Sequence, residues 1–432
     1  MAPLFSGSHG LSRRTFLTAV LAGGVSAAVV ACSSAAPTPT QAPATQAPAS
    51  NAAPTTAPTT APAAAPTAAP TTAPAAAPTV APTTAAAAAP TPAATTAPTS
   101  ASTKKLKIAL SNSYIGNKWR IEMENEFKAA LQMEPFKSQV EGSVFNSGND
   151  VSKQSEQMAN LIAEKVDAIV MNAASPTGLN GVIQQATSRG ILVVSYDNVV
   201  TAPSALKVNT DQLKFGETLA DWLAKKLGGK GNVIMVTGVA GTHVDEQRNL
   251  GADNVWKKNP GIKVVNRYTG MWDSSVAQRN TTSVLPSLPK IDGIWCQGGT
   301  DGVLKAFIDA KRPLPPTAGE AENGFRKFMV GYQGHKIDGI SIGQPPYLVL
   351  VSLELARQVL QGTYPKKDIE IPFPLVTNDT VKEGETVFSN LEDSFFADFT
   401  DSGDNATVKI CVDAALNGTP CPGELKVNLP KA

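Results

Sequence analysis

Amides, carboxylates and indoles recur directly after the apolar runs of this chain. Ser111-Asn112-Ser113-Tyr114-Ile115-Gly116-Asn117-Lys118-Trp119-Arg120 follows LKIAL, Asn172 follows VDAIVM, and Tyr196-Asp197-Asn198 follows ILVVS. In the second half the corresponding segments are Gly238 to His243, Met271-Trp272-Asp273, Gln297-Gly298-Gly299-Thr300-Asp301, Gln333-Gly334-His335 and Gln344-Pro345-Pro346. Carboxylates and amides accept from and donate to adjacent hydroxyls, and aromatic rings lie against the apolar faces of a ring of carbons. The set therefore suits a neutral, hydroxyl-rich ligand.

Other chemistries find less support. The only histidines are His9, His243 and His335, and none stands beside a nucleophile or in a metal-ligand cluster. There is no G-x-S-x-G elbow, and Gly238 to Thr242 lacks the lysine of a phosphate loop. Neither metal nor cofactor is expected, and the chain is not read as an enzyme. Thirty-seven basic residues balance 36 acidic ones, giving +1, with no basic block, so nucleic acid is not an expected partner.

These segments need a scaffold that brings strand ends together. Apolar runs at 106–110, 166–171, 191–195, 233–236, 262–265, 293–296 and 327–332 read as strands. Amphipathic stretches at 118–133, 178–188, 213–227, 245–258, 278–285, 303–309 and 349–360 read as helices. Strands apolar throughout and alternating with helices imply parallel sheets covered on both faces. The length allows two such sheets, and ligands of open α/β sheets sit beyond the strands' carboxyl ends.

IALSNSYIGNKWR, VDAIVMNAASPTGL, GILVVSYDN, NTDQLKFGETLADWLAKKL and GNVIMVTGVAGTHVDEQRNLGAD, in this order from Lys105 to about Val376, resemble the type I periplasmic sugar-binding proteins, the ribose-binding group and its relatives. The resemblance implies an α/β fold of two Rossmann-like, doubly wound parallel-sheet lobes. They would be joined by a three-strand hinge near Thr210, Gln344 and Pro372. By position it implies ligand contacts at Asn117, Trp119, Asn172 and Asp197 of the first lobe, Trp272 and Gln333 of the second, and Gln344 of the hinge. Asp197 would accept a pair of hydroxyls, and the two indoles would sandwich the ligand ring. The implied function is capture of a monosaccharide or polyol for an ABC importer. A ligand-sensing receptor module is the alternative, and a hydrolase on the same scaffold a more distant one.

The sequence also departs from ribose binders. Asn198 stands where they carry arginine, Gly298-Gly299 where an Asn-Asp pair is expected, and Gln333 where an aspartate is expected. Ala318 to Phe325 reads as an inserted, solvated loop, and the pocket is expected to lack several charged contacts.

The N-terminal hundred residues imply a location. Residues 1–32 carry Arg13-Arg14, a short apolar run and Val29-Val30-Ala31-Cys32, which resemble a twin-arginine signal with a lipobox whose Cys32 would be lipidated. Ser33 to Thr103 is nearly all Ala, Pro and Thr without a charge, and reads as a disordered tether. The expected divisions are then 104–209 plus 345–374 for the N-terminal lobe and 210–344 plus 375–432 for the C-terminal lobe with an extension. A monomer, anchored by lipid outside the cytoplasm and meeting a membrane permease, is expected. Cys411 and Cys421 are ten positions apart in a turn-rich tail and read as a disulfide pair.

Overall fold

The structure is a computed structural model and describes residues 104–401, 407–423 and 425–431. The signal, Cys32 and tether expectations lie outside these residues.

The first sheet and its helices begin with β1 (Leu106–Asn112), α1 (Lys118–Ala130), α2 (Phe136–Gln139), β2 (Val140–Asn146), α3 (Val151–Ala163), β3 (Ala168–Asn172), α4 (Asn180–Ser188), β4 (Leu192–Tyr196) and β5 (Leu206–Asn209). The chain then builds a second lobe from α5 (Gln212–Lys226), β6 (Lys230–Thr237), α6 (His243–Lys258), β7 (Gly261–Thr269), α7 (Ser274–Val284), β8 (Gly293–Cys296), α8 (Thr300–Asp309), β9 (Thr317–Glu320), α9 (Asn323–Val330) and β10 (Gly339–Ile342). It returns to the first lobe for α10 (Leu348–Leu360) and β11 (Ile369–Glu370), and crosses again for β12 (Leu375–Thr377). The tail holds β13 (Val408–Lys409), α11 (Val412–Asn417) and β14 (Lys426–Val427).

One sheet has the order β11-β5-β4-β3-β1-β2 and is parallel throughout. The other has the order β12-β10-β9-β8-β6-β7 and is parallel except for the β12 edge. Both are covered by helices, which is why β3 (AIVMN) and β8 (GIWC) are buried at every position. Three crossovers join the lobes at 210–211, 343–347 and 371–374, in keeping with the expected hinge positions.

Three expectations need correction. The apolar run 327–332 is not a strand. Phe325, Phe328 and Met329 bury at helical spacing in α9, which stops at Gly331 with φ of 119°. The strand lies upstream, in β9, where Ile294 pairs with Thr317, so Ala318 to Phe325 is neither an insertion nor a solvated loop. Finally, residues 375–432 do not all follow the second lobe. Phe395, Phe396, Phe399, Val408, Ile410, Ala414, Ala415 and Leu425 belong to the first lobe's core with Phe127 and Leu350. Within this tail Cys411 and Cys421 form the expected disulfide.

Candidate functional site

The carboxyl ends of both sheets face one another across a cavity lined by Asn117, Trp119, Arg120, Asp197, Val244, Arg248, Trp272, Glu320, Gln344 and Phe396. Five of the seven residues singled out from sequence converge here: Asn117, Trp119, Asp197, Trp272 and Gln344.

Asp197 follows β4 and adopts a left-handed backbone, φ 57°, uncommon for a residue with a side chain. Its Oδ1 accepts from Gln344 Nε2 at 2.9 Å. Its Oδ2 accepts from Asn172 Nδ2 at 2.8 Å and Asn198 Nδ2 at 3.0 Å, with Arg120 at 3.5 Å. Asn172 is thus fully buried behind the carboxylate, which it aims, and is not part of the cavity wall. Asn198 also joins the lobes, its Oδ1 accepting from the Val244 N–H at 3.2 Å.

Asn117 caps α1, accepting from the Arg120 N–H at 3.0 Å, which sets the first turn of that helix against the cavity. Trp119 is buried, and its indole N–H donates to the Gln344 carbonyl at 2.6 Å. Trp272, also left-handed with φ 54°, donates to Gln297 Oε1 at 3.2 Å. Both indole donors are therefore engaged by protein, which leaves the carbon surface of the rings as what they can offer a ligand. Asp273, one residue on, caps α7.

Gln333 is not brought to the cavity. It lies in the exposed turn closed by Tyr332 and His335, because the strand expected before it is α9. The residue that ends the true strand is Glu320. It is almost fully buried, pairs with Arg248 at 3.0 Å, and burial raises its carboxyl to about 7 despite that arginine. Two residues on, Glu322 accepts the Gly299 N–H, while its Oε2 has no partner. Burial, with Glu320 and Asp301 nearby, raises it to about 8.

The expectation of a pocket poor in charge is also corrected. Arg120 and Arg248 are nearly inaccessible, and each is consumed by protein acceptors. Arg120 donates to Asn112 Oδ1 at 2.6 Å and Ser113 Oγ at 3.2 Å. Arg248 donates to Gln212 Oε1 at 2.8 Å and the Gln297 carbonyl at 3.1 Å, with its guanidinium 3.7 Å from the Phe215 ring centre. Each arginine faces one wall carboxylate, Asp197 or Glu320, so the lining is charge-balanced.

Two doubly wound lobes, three crossovers and a polar cavity between strand ends define a hinged binding protein. Residues 108–363 match the family described as periplasmic binding protein domain, and the chain belongs to it. This is a family of extracytoplasmic binding proteins, of the ribose-binding type that the sequence resembles. The chain is 29% identical to a xylitol-binding protein of Mycolicibacterium smegmatis over 55% of this chain and 69% of that one. It is 23% identical to a ribose import binding protein of Bacillus subtilis over 63% of this chain and 88% of that one. Among solved structures, an ABC transporter solute binding protein from Thermobispora bispora superposes with a TM-score of 0.60 at 30% identity, covering 67% of this chain and 90% of that one.

Proposed function

We propose that the chain captures a neutral monosaccharide or polyol between its lobes and presents the closed form to an ABC importer. The observation that carries this reading is the pair Trp119 and Trp272. They come from opposite lobes, line one cavity, and have their N–H groups tied to protein acceptors. Rings so presented suit the C–H faces of a polyol, while Asn117, Asp197, Glu320 and Gln344 supply acceptors and donors at the cavity edge. The charge balance of the wall favours an uncharged ligand over an ionic one, since an ion would disturb two buried pairs. Ligand contacts to both lobes would favour the closed state by population shift. The xylitol and ribose binders among its relatives support this ligand class.

The finer reading adds a lipid on Cys32, the segment 33–103 as a spacer from the membrane, and a monomeric body. It rests on the sequence motifs alone.

The test is tryptophan fluorescence of residues 104–432 titrated with pentoses, hexoses, inositols and sugar alcohols. A saturable response to one of them at micromolar concentration, lost in Asp197→Ala, supports the proposal. A folded protein that responds to none of them refutes the ligand class.

A further inference from the structure

The residues after 363 lie beyond the part of the chain that matches the family, yet they reach the cavity. From Phe388 to Asp393 the tail is fastened to the second lobe. Asn323 Nδ2 donates to the Phe388 and Glu392 carbonyls at 2.8 and 3.0 Å, and Asp393 accepts from Lys305 at 2.9 Å and Lys327 at 3.0 Å. The next residues run beside Ala321–Asn323: the Asn323 N–H donates to the Phe395 carbonyl at 2.7 Å, and the Ala397 N–H to the Ala321 carbonyl at 3.1 Å. Between these two bonds the Phe396 N–H turns to the first lobe and donates to Glu122 Oε1 on α1 at 3.0 Å. The backbone of residue 396 is thus held by both lobes at the cleft. Phe396 lines the inner cavity and also the outer one bounded by Gly116, Asn117, Trp272 and Ser274.

Asp398 fixes this segment. Its two oxygens take both terminal nitrogens of Arg326 at 2.8 and 2.7 Å, and Arg326 Nε donates to Ser341 Oγ at 3.0 Å. The carboxylate sits so close to the second crossover that a Cβ on Gly343 would lie 1.8 Å from Asp398 Oδ2.

We propose that Phe396 is a ligand-contacting, specificity-determining residue, a third ring beside Trp119 and Trp272, and that Asp398 is its positioning residue through Arg326. The proposal rests on the reading of the cleft as a polyol site. Trp119 and Trp272 belong to the two lobes, whereas Phe396 arrives from a tail bonded to both. Its ring can reach a bound ligand only while that double attachment holds, so ligand retention depends on the tail.

The experiment uses the full chain and whichever of xylitol, myo-inositol and D-ribose the wild type binds, with affinities and dissociation rates measured for Phe396→Ala, Phe396→Leu and Asp398→Asn. Phe396→Leu preserves most of the packing but no π-face, and separates a ring contact from a core role. We expect at least a ten-fold loss of affinity in Phe396→Ala and a similar loss in Phe396→Leu, with a changed preference among the three ligands. Asp398→Asn is expected to raise the dissociation rate several-fold with that preference unchanged. Wild-type affinity and preference in Phe396→Leu overturn the contact, and an unchanged dissociation rate in Asp398→Asn overturns the positioning role. A wild type that binds none of these three, nor any other pentose, hexose, inositol or sugar alcohol of the fluorescence titration, removes the ground of both this inference and the proposed function, which distinguishes that failure from a failure of Phe396 alone.

Discussion

Gln344 Nε2 donates to Asp197 Oδ1 at 2.9 Å, so the second crossover holds one oxygen of the pocket carboxylate. The same amide's Oε1 accepts from Thr210 Oγ1 at 2.6 Å and Gln212 Nε2 at 3.0 Å, both at the first crossover. Asp197 therefore already receives four protein donors, roughly the full acceptor capacity of a carboxylate. A ligand hydroxyl that binds Asp197 must replace one of them, and Gln344 and Arg120 are the two that also line the cavity. Ligand entry and hinge geometry thus act on one group.

Asp197→Ala is expected to abolish the ligand response, with affinity down at least ~100-fold by the usual worth of charged hydrogen bonds. It also leaves Arg120 without its counter-ion, which costs about 3 kcal/mol of stability as for other broken buried pairs. Urea denaturation beside calorimetric titration separates the two losses.

Arg248→Met strands Glu320 in a nearly inaccessible site. Removing one partner of such a pair costs about 3–5 kcal/mol. The urea midpoint should fall accordingly, and Arg248→Met with Glu320→Gln should recover part of the loss, which a double-mutant cycle measures.

The carboxyls of Glu320 and Glu322 stand at about 7 and 8, above their ordinary value. The folded state therefore keeps protons that the unfolded chain releases near pH 4.5. Their contribution is fully present below that pH, and stability falls as pH rises towards 8, by up to about 1.4 kcal/mol per pH unit for each group. Glu122 and Glu126, buried on α1, are raised in the same direction. Glu322→Gln should flatten the decline between pH 5 and 8. A difference from wild type that stays constant over that range contradicts the assignment.

Two glycine substitutions should act oppositely. A Cβ on Gly216 of α5 would lie 2.0 Å from the Arg248 carbonyl oxygen of α6, whereas one on Gly181 of α4 would meet nothing within 4 Å. Gly216→Ala should destabilise by about 2–3 kcal/mol through overpacking. Gly181→Ala should stabilise by about 0.5–1 kcal/mol through helix propensity. Thermal unfolding of both distinguishes close helix packing from a general intolerance of substitution.

Reduction of the Cys411–Cys421 bond, or Cys421→Ser, is expected to cost about 2–3 kcal/mol, the loop-closure value for a cross-link this short. The loss should appear as earlier proteolysis of the tail.

Much of this was legible in the residues, for physical reasons. AIVM and GIWC are continuously apolar because both sheet faces are covered, and Asp197 and Trp272 follow strands, where such folds place their ligand groups. β9 reads TAGE and carries no large apolar residue, so nothing marked it as a strand, and the richer run in α9 drew the assignment downstream. The placing of Gln333 in the site followed from that slip. The spacing of Phe325, Phe328 and Met329 was the signal that would have corrected it. Arg120 and Arg248 sit within helices, where charged residues are usually exposed, and only the fold shows that both are buried. Phe396 lies in SFFADF, a stretch without helical or strand period whose hydrogen bonds to the two lobes reach residues more than 70 positions away.

The second lobe is one continuous stretch from α5 to β10 with only its β12 edge strand added later, whereas the first is closed by α10, β11 and the tail. During synthesis the second lobe can therefore have its whole sheet but the β12 edge while the first still lacks helices that cover its sheet. Each nascent chain passes through an interval in which the earlier-made lobe is the less finished one, with the apolar surface of β1, β3 and β4 awaiting residues translated more than 150 codons later.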